Sequence, residues 1–246
     1  MKKYIFLISI IFGLYSCEEK IYEPIGPLDP WGPVSKTFVT AYLYPDMNYL
    51  DVLYFMDIEE ADSIKFNEPK LSILFGFSIP EDSVVRDRLF KDEFWYSKYK
   101  ANTFKELSKK NGDTSYYESG VFGGCMADPI EFLGIVSDKD YDAAHPAGTL
   151  LNDIIYVKFR SATEFVASSY KDRRYDIKSH PYRLGFIEPL TIFNSKKRNL
   201  VDSYFKFIFE HLPEKMETHN FTIFYNDAAG RRIEIPVTVP ISEIAK

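Results

Sequence analysis

The last third of the chain alternates. In Tyr204-Phe205-Lys206-Phe207-Ile208-Phe209-Glu210 the odd positions form a phenylalanine face, and Phe221, Ile223 and Tyr225 repeat the period. After Asn226-Asp227-Ala228-Ala229-Gly230, the apolar Ile233, Ile235, Val237 and Val239 alternate with Glu234, Pro236, Thr238 and Pro240. A period of two belongs to a strand with one buried face, because successive side chains point to opposite sides of a sheet. Two such runs around a short Asn/Asp/Gly loop predict a hairpin. Pro236 has no N–H to give to a ladder, so the last strand is expected at a sheet edge or at a bulge.

Strand signals dominate upstream as well. Residues 37–44 and 49–56 are rich in aromatic and branched side chains, and 71–79 is a near-continuous apolar run, as in a strand covered on both faces. Residues 130–136, 154–159 and 190–193 are further candidates. Helical signals are few. Ser161-Ala162-Thr163-Glu164 and Thr103-Phe104-Lys105-Glu106 have capping-box spacing, the second stopped by Asn111-Gly112. Residues 82–95 are charged, with Val85, Leu89 and Phe94 spaced loosely like a helix or an exposed loop. The expected fold is mainly β: an antiparallel β-sandwich resembling the immunoglobulin type, with one to three short helices inserted. Apolar residues are 46% of the chain, which is ample for a core and excludes a disordered coat.

The N-terminus has a different character. Lys2 and Lys3 precede a charge-free apolar run over residues 4–14, and Leu14-Tyr15-Ser16-Cys17 follows, then Glu18-Glu19-Lys20. The run is too short for a bilayer core, which needs about 20 helical residues. A basic head, an apolar middle and a small residue at the cut make an export signal. With a cysteine directly after the cut, the segment resembles a bacterial lipoprotein signal. Residues 1–16 are then the signal, Cys17 the lipidated residue, and 17–33 a tether containing Pro24, Pro27, Pro30 and Pro33. The remainder, 34–246, reads as a single β-rich domain. Several acyl chains on Cys17 would anchor the protein to a membrane without spanning it. Cys125 is the only other cysteine, so no internal disulfide is expected.

Candidate chemistry is thin. Asp138-Lys139-Asp140-Tyr141-Asp142 begins like a calcium loop, but Ala143 stands where the loop needs glycine and Thr149 where it needs glutamate. His145, His180, His211 and His219 lack the spacing of zinc sites, so no metal and no cofactor is expected. Cys125 has no basic neighbour to activate it and reads as a buried thiol. The net charge of −6 gives no basic footprint for nucleic acid. Aromatic residues are 17% of the chain, and Phe94-Trp95-Tyr96 with Tyr99 lies in a lysine-rich polar stretch. Trp95, Tyr96 and Tyr99 are therefore the candidate ligand contacts, with core packing as the alternative.

The segment Ile135-Val136-Ser137-Asp138-Lys139-Asp140-Tyr141-Asp142, with Pro146-Ala147-Gly148-Thr149 and Asn152-Asp153, is similar to a stretch of an uncharacterised family of Bacteroidetes lipoproteins. The resemblance covers roughly residues 120–240 and includes the late hairpin. It implies membrane anchoring and a β-rich domain, and transfers no functional residue. The acidic residues after Cys17 resemble those of Bacteroidetes lipoproteins, which implies the outer membrane, with the cell surface as the further alternative. Asp62-Ser63-Ile64 and Asp82-Ser83-Val84 also resemble O-glycosylation acceptors of that group. The expected function is a non-enzymatic, lipid-anchored module that binds a glycan or an envelope protein. A structural component of the envelope and a hydrolase of unfamiliar type are the alternatives.

Overall fold

The computed structural model describes residues 37–57, 66, 68–78, 84–85, 101–116, 122–172 and 185–245. Their elements, in chain order, are β1 (Val39–Leu43), β2 (Leu50–Asp57), β3 (Lys70–Phe77), β4 (Val84–Val85), α1 (Ala101–Lys110), β5 (Phe122–Met126), β6 (Ile130–Ser137), β7 (Ile155–Arg160), α2 (Thr163–Ala167), β8 (Gly185–Pro189), α3 (Leu190–Ser195), β9 (Tyr204–Phe209), β10 (Thr218–Asp227), β11 (Arg232–Pro240) and α4 (Ile241–Ile244). A 3-10 turn, Met47–Tyr49, leads into β2. The protein is mainly β, with antiparallel sheets and short helices.

One sheet has five strands in the order β2-β3-β9-β7-β8, antiparallel throughout. A second has the order β11-β10-β6, also antiparallel. Their inner faces meet in one apolar core. Phe75, Phe205 and Phe207 from the first and Leu133, Phe221, Ile223 and Ile235 from the second are all buried in it. Rings touch across the gap: Phe77 lies 5.5 Å from Tyr225, and Phe209 lies 5.3 Å from Phe221. The strand alternation is therefore the direct imprint of one face packed against an opposing sheet.

The third sheet, β4-β1-β5, contains a parallel pair, β1 with β5, which an all-antiparallel expectation does not include. It carries its own cluster of Phe38, Tyr42, Phe104, Phe122 and Phe165, closed by α1 and α2. Asp113 ties this cluster to the start of β1 by accepting from the N–H groups of Phe38 and Val39 at 2.7 and 2.9 Å. Phe186 of β8 packs against both cores.

The hairpin forms as the turn chemistry predicts. Gly230 takes φ +82°, which a side chain would resist, and Asp227 accepts from the N–H groups of Ala229 and Arg231. β11, which carries Pro236, pairs with β10 alone and forms the edge of its sheet.

Several local expectations are corrected. Residues 190–193 are not a strand but the body of α3. Pro189 closes β8, and Leu190 and Phe193, one helical turn apart, are buried while Thr191 and Ile192 are exposed. The period is three, and a short apolar run did not distinguish it from two. α1 begins at Ala101, so Thr103 sits inside the helix rather than at its cap. It does end at Asn111, whose Nδ2 donates to Leu107 O at 2.8 Å, with Gly112 at φ +73°. At α2, Ser161 Oγ accepts from the N–H of Thr163, one residue earlier than a capping box requires. On β9 two of the three even positions are covered as well: Lys206 is 8% exposed and Ile208 fully buried, while Tyr204 is exposed.

Candidate functional site

A shallow concave feature lies where residues adjoining all three sheets meet. Tyr44 and Pro45 follow β1, Asp46 and Met47 lead into β2, and Arg231, Arg232 and Ile233 follow the β10–β11 turn. Together they line a shallow cleft of about 500 Å³.

The cleft is built on a fixed arginine. Arg231 Nε donates to Asp227 Oδ2 at 2.7 Å, and its Nη2 donates to Asp128 Oδ2. The guanidinium lies 4.9 Å from the centre of the Tyr44 ring. Burial of Asp227 (2% exposed) and its turn contacts hold the pair in place. Desolvation of the guanidinium is outweighed by the two carboxylates, which hold its pKa above the ordinary value. Partial burial, and then the Asp128 carboxylate, push the Tyr44 phenol upward, so it stays a neutral donor. Arg231 is thus charge-neutralised and orients Tyr44. The next residue, Arg232, is exposed and makes no side-chain hydrogen bond or ion pair among the described residues. Across the cleft, Asp46 Oδ1 accepts from the Asn48 N–H and Nδ2, both at 2.9 Å, and fixes the turn that presents Met47.

Further exposed apolar side chains lie on the turn into β2, on β2 and on β9. Met47, Tyr49, Leu53, Tyr54 and Tyr204 make five of the eight exposed large apolar residues among those described. Tyr204 reaches over Gly76, where a side chain would collide with its ring. Its hydroxyl lies 3.4 Å from Asp51 Oδ2 on β2. Leu53 and Tyr204 share the outer face of the five-stranded sheet, whereas Tyr54 lies on the opposite face beside Ile73.

A second polar cluster sits in the loop after β6. His145 is 7% exposed and lies between two carboxylates: Nδ1 is 2.8 Å from Asp142 Oδ1, and Nε2 is 3.0 Å from Asp153 Oδ1. His211 Nε2 lies 3.4 Å from Asp142 Oδ2. Burial alone would lower the imidazole pKa, but the hydrogen bonds to Asp142 and Asp153 outweigh it and raise it. Burial raises the Asp142 carboxyl in turn, and the His145 ring with the N–H groups of Ala144 and His145 brings it below its usual range. Both ring nitrogens are occupied, so neither is offered to a substrate. The arrangement is a loop clamp.

The acidic run is likewise turned onto its own loop. Asp138 accepts from Asn220, Asp140 from the Ala147 N–H, and Asp142 from Ala144 and His145. Among the described residues no group of three or more His, Cys, Asp or Glu side chains is arranged to hold a metal. His219 is buried, its Nδ1 2.8 Å from Ser137 Oγ. Cys125 is fully buried in the second core. Cys17, Ser63, Ser83, Trp95, Tyr96, Tyr99 and His180 lie outside the described residues. The cleft was not visible in sequence because Tyr44 and Arg231 stand at opposite ends of the chain. The nearest signal was the Arg-Arg pair after the hairpin turn.

No family model, no curated protein and no solved structure matches the chain.

Proposed function

We propose that this chain is a lipid-anchored envelope protein, held at the outer membrane through Cys17, and that it binds a glycan in the cleft of Tyr44, Met47 and Arg232. The supporting observation is the pinned arginine–tyrosine pair beside an uncommitted Arg232 and the exposed side chains of Met47 and Tyr49. Aromatic faces pack against the C–H groups of sugar rings, while guanidinium and carboxylate groups bind hydroxyls. No helix among the described residues is long and apolar enough to cross a membrane, and the anchor reading requires none.

Two experiments test the two halves. Metabolic acyl labelling should mark the wild-type protein and fail on Cys17→Ser, which should also stay uncleaved. An acylated, processed Cys17→Ser protein overturns the anchor. A glycan array probed with the purified full chain should give a defined set of ligands that Arg232→Glu loses without a change in melting temperature. An array that retains no glycan, or a set unaffected by Arg232→Glu, overturns the binding reading.

A further inference from the structure

The sheet edges differ in how they are protected. β11 carries Pro236 and Pro240 and exposes Arg232 and Glu234, all of which discourage another strand from pairing. β8 is five residues long and ends at Pro189. β6 has the bridges Val136 to Leu150 and Ile130 to Arg198 along its other side. Among the described residues β2 has no proline, is not short and carries no bridge on its other side; its charges are two aspartates, Asp51 and Asp57. It is eight residues long, contains no glycine, proline or lysine, and pairs with β3 at every position without a register shift. Among the described residues nothing pairs with its other side. Leu53 is 59% exposed and Tyr54 38%. A long, regular, apolar edge of this kind is a template for another strand.

We infer that the β2 edge pairs with β2 of a second copy of this chain, antiparallel about a two-fold axis at Leu53, joining the two five-stranded sheets into one. The sequence of the strand selects this occupant and this register. With Leu53 opposite the partner's Leu53, Val52 faces the partner's Tyr54, Asp51 faces the partner's Phe55, and Leu50 faces the partner's Met56. Apolar side chains meet along the strand and no carboxylate faces another. A shift of one residue would set the outer face of one copy against the inner face of the other. Centring the axis on Tyr54 instead would place Asp51 opposite the partner's Asp57 at both ends, and like charges directly opposite destabilise a ladder. A two-fold contact of this type is self-complementary and closes on itself, so it makes a dimer and no fibre. This inference goes beyond the glycan reading and stands whether or not the cleft binds sugar.

Directly opposite residues of an antiparallel pair have Cα atoms about 4.5–5.5 Å apart, within the span of a disulfide. Leu53→Cys should therefore crosslink to the partner's copy when the purified full chain is oxidised with copper phenanthroline. Asp51→Cys lies on the same strand but far from its own equivalent, and should remain monomeric on a non-reducing gel. Combining Asp51→Cys with Phe55→Cys should restore the covalent dimer. Leu53 is largely exposed, so its substitution leaves the core intact, and an unchanged melting temperature checks this. A monomeric Leu53→Cys protein overturns the inference. So do equal crosslinking at residues 51 and 53, and an adduct whose mass is not twice that of the chain.

Discussion

Lys206 Nζ lies 2.8 Å from Asp57 Oδ2, and 4.9 Å from the centre of the Phe55 ring. The lysine is on β9 and its two partners are on β2, so the contact spans the strand between them. Lys206 also stands directly opposite Lys158 of β7. Two cations opposed across a ladder repel, and Asp57 offsets that repulsion. The outer face of the five-stranded sheet is therefore structured around this pair.

Lys206→Ala should accordingly destabilise the protein, although the alternation of β9 marks residue 206 as an outward, dispensable position. Losing a buried cation's ion pair and its apolar stem should cost about 1–3 kcal/mol, less than for a fully buried pair because Asp57 is half exposed. Thermal melts should show a drop of about 2–10 °C. Lys206→Met, which keeps the stem, should recover the packing share of the loss but not the share of the ion pair. A Lys206→Ala protein that melts like wild type would remove the pair from the account.

Phe207 is fully buried and packs edge-on against Phe75 at 5.1 Å. Phe207→Ala should cost about 3–5 kcal/mol, a large part of the roughly 5–15 kcal/mol that holds a typical domain folded. Deleting residues 219–246 removes most of β10 and all of β11, and with them Phe221, Ile223, Ile235 and Val237 of the main core. That variant should show no cooperative melt. A soluble deletion variant with an unchanged transition would reduce the hairpin to an appendage.

The His145 clamp gives a pH window. A raised imidazole pKa stabilises fully below the ordinary value of about 6.5, and the gain is lost as pH rises through the folded value. A lowered Asp142 pKa stabilises above about 4, and that gain is lost as pH falls through the folded value. The two overlap near pH 5–6. His145→Gln should therefore lower the melting temperature most near pH 5.5, and less at pH 9 and at pH 3. A penalty that is constant across pH would show the contact to be packing alone.

Cys125 is fully buried, and burial pushes its thiol pKa up, with the carboxylates of Asp202 and Asp113 adding to the effect. The thiolate is the reactive form. Iodoacetamide should leave Cys125 unlabelled in the native protein and modify it after denaturation, as peptide mapping would show. Rapid labelling of Cys125 in the folded chain would contradict the buried assignment.

How far these features were legible follows from their range. The hairpin, the edge position of Pro236 and the phenylalanine face of β9 are local patterns, fixed by the two-residue period and by turn residues such as Gly230. Burial of Lys206 was not legible, because a period assigns sides of a sheet and cannot tell that the second side is also covered. α3 was missed because Leu190 and Phe193 are too few to define a period. The cleft depends on a contact between Tyr44 and Arg231, which only the folded topology creates. The partners that each aspartate of the charged run over residues 138–142 selects were not legible.

The central claim is that the cleft beside Arg231 is the binding surface, and a calorimetric titration of the full chain with the strongest glycan from the array tests it most directly. Arg232→Ala should weaken binding about tenfold or more, since a hydrogen bond to a charged group contributes about 1.5–3 kcal/mol. Lys171→Ala, an exposed substitution far along the chain, should leave affinity unchanged. Equal affinity for wild type and Arg232→Ala, or equal losses in both variants, would contradict the assignment of the cleft.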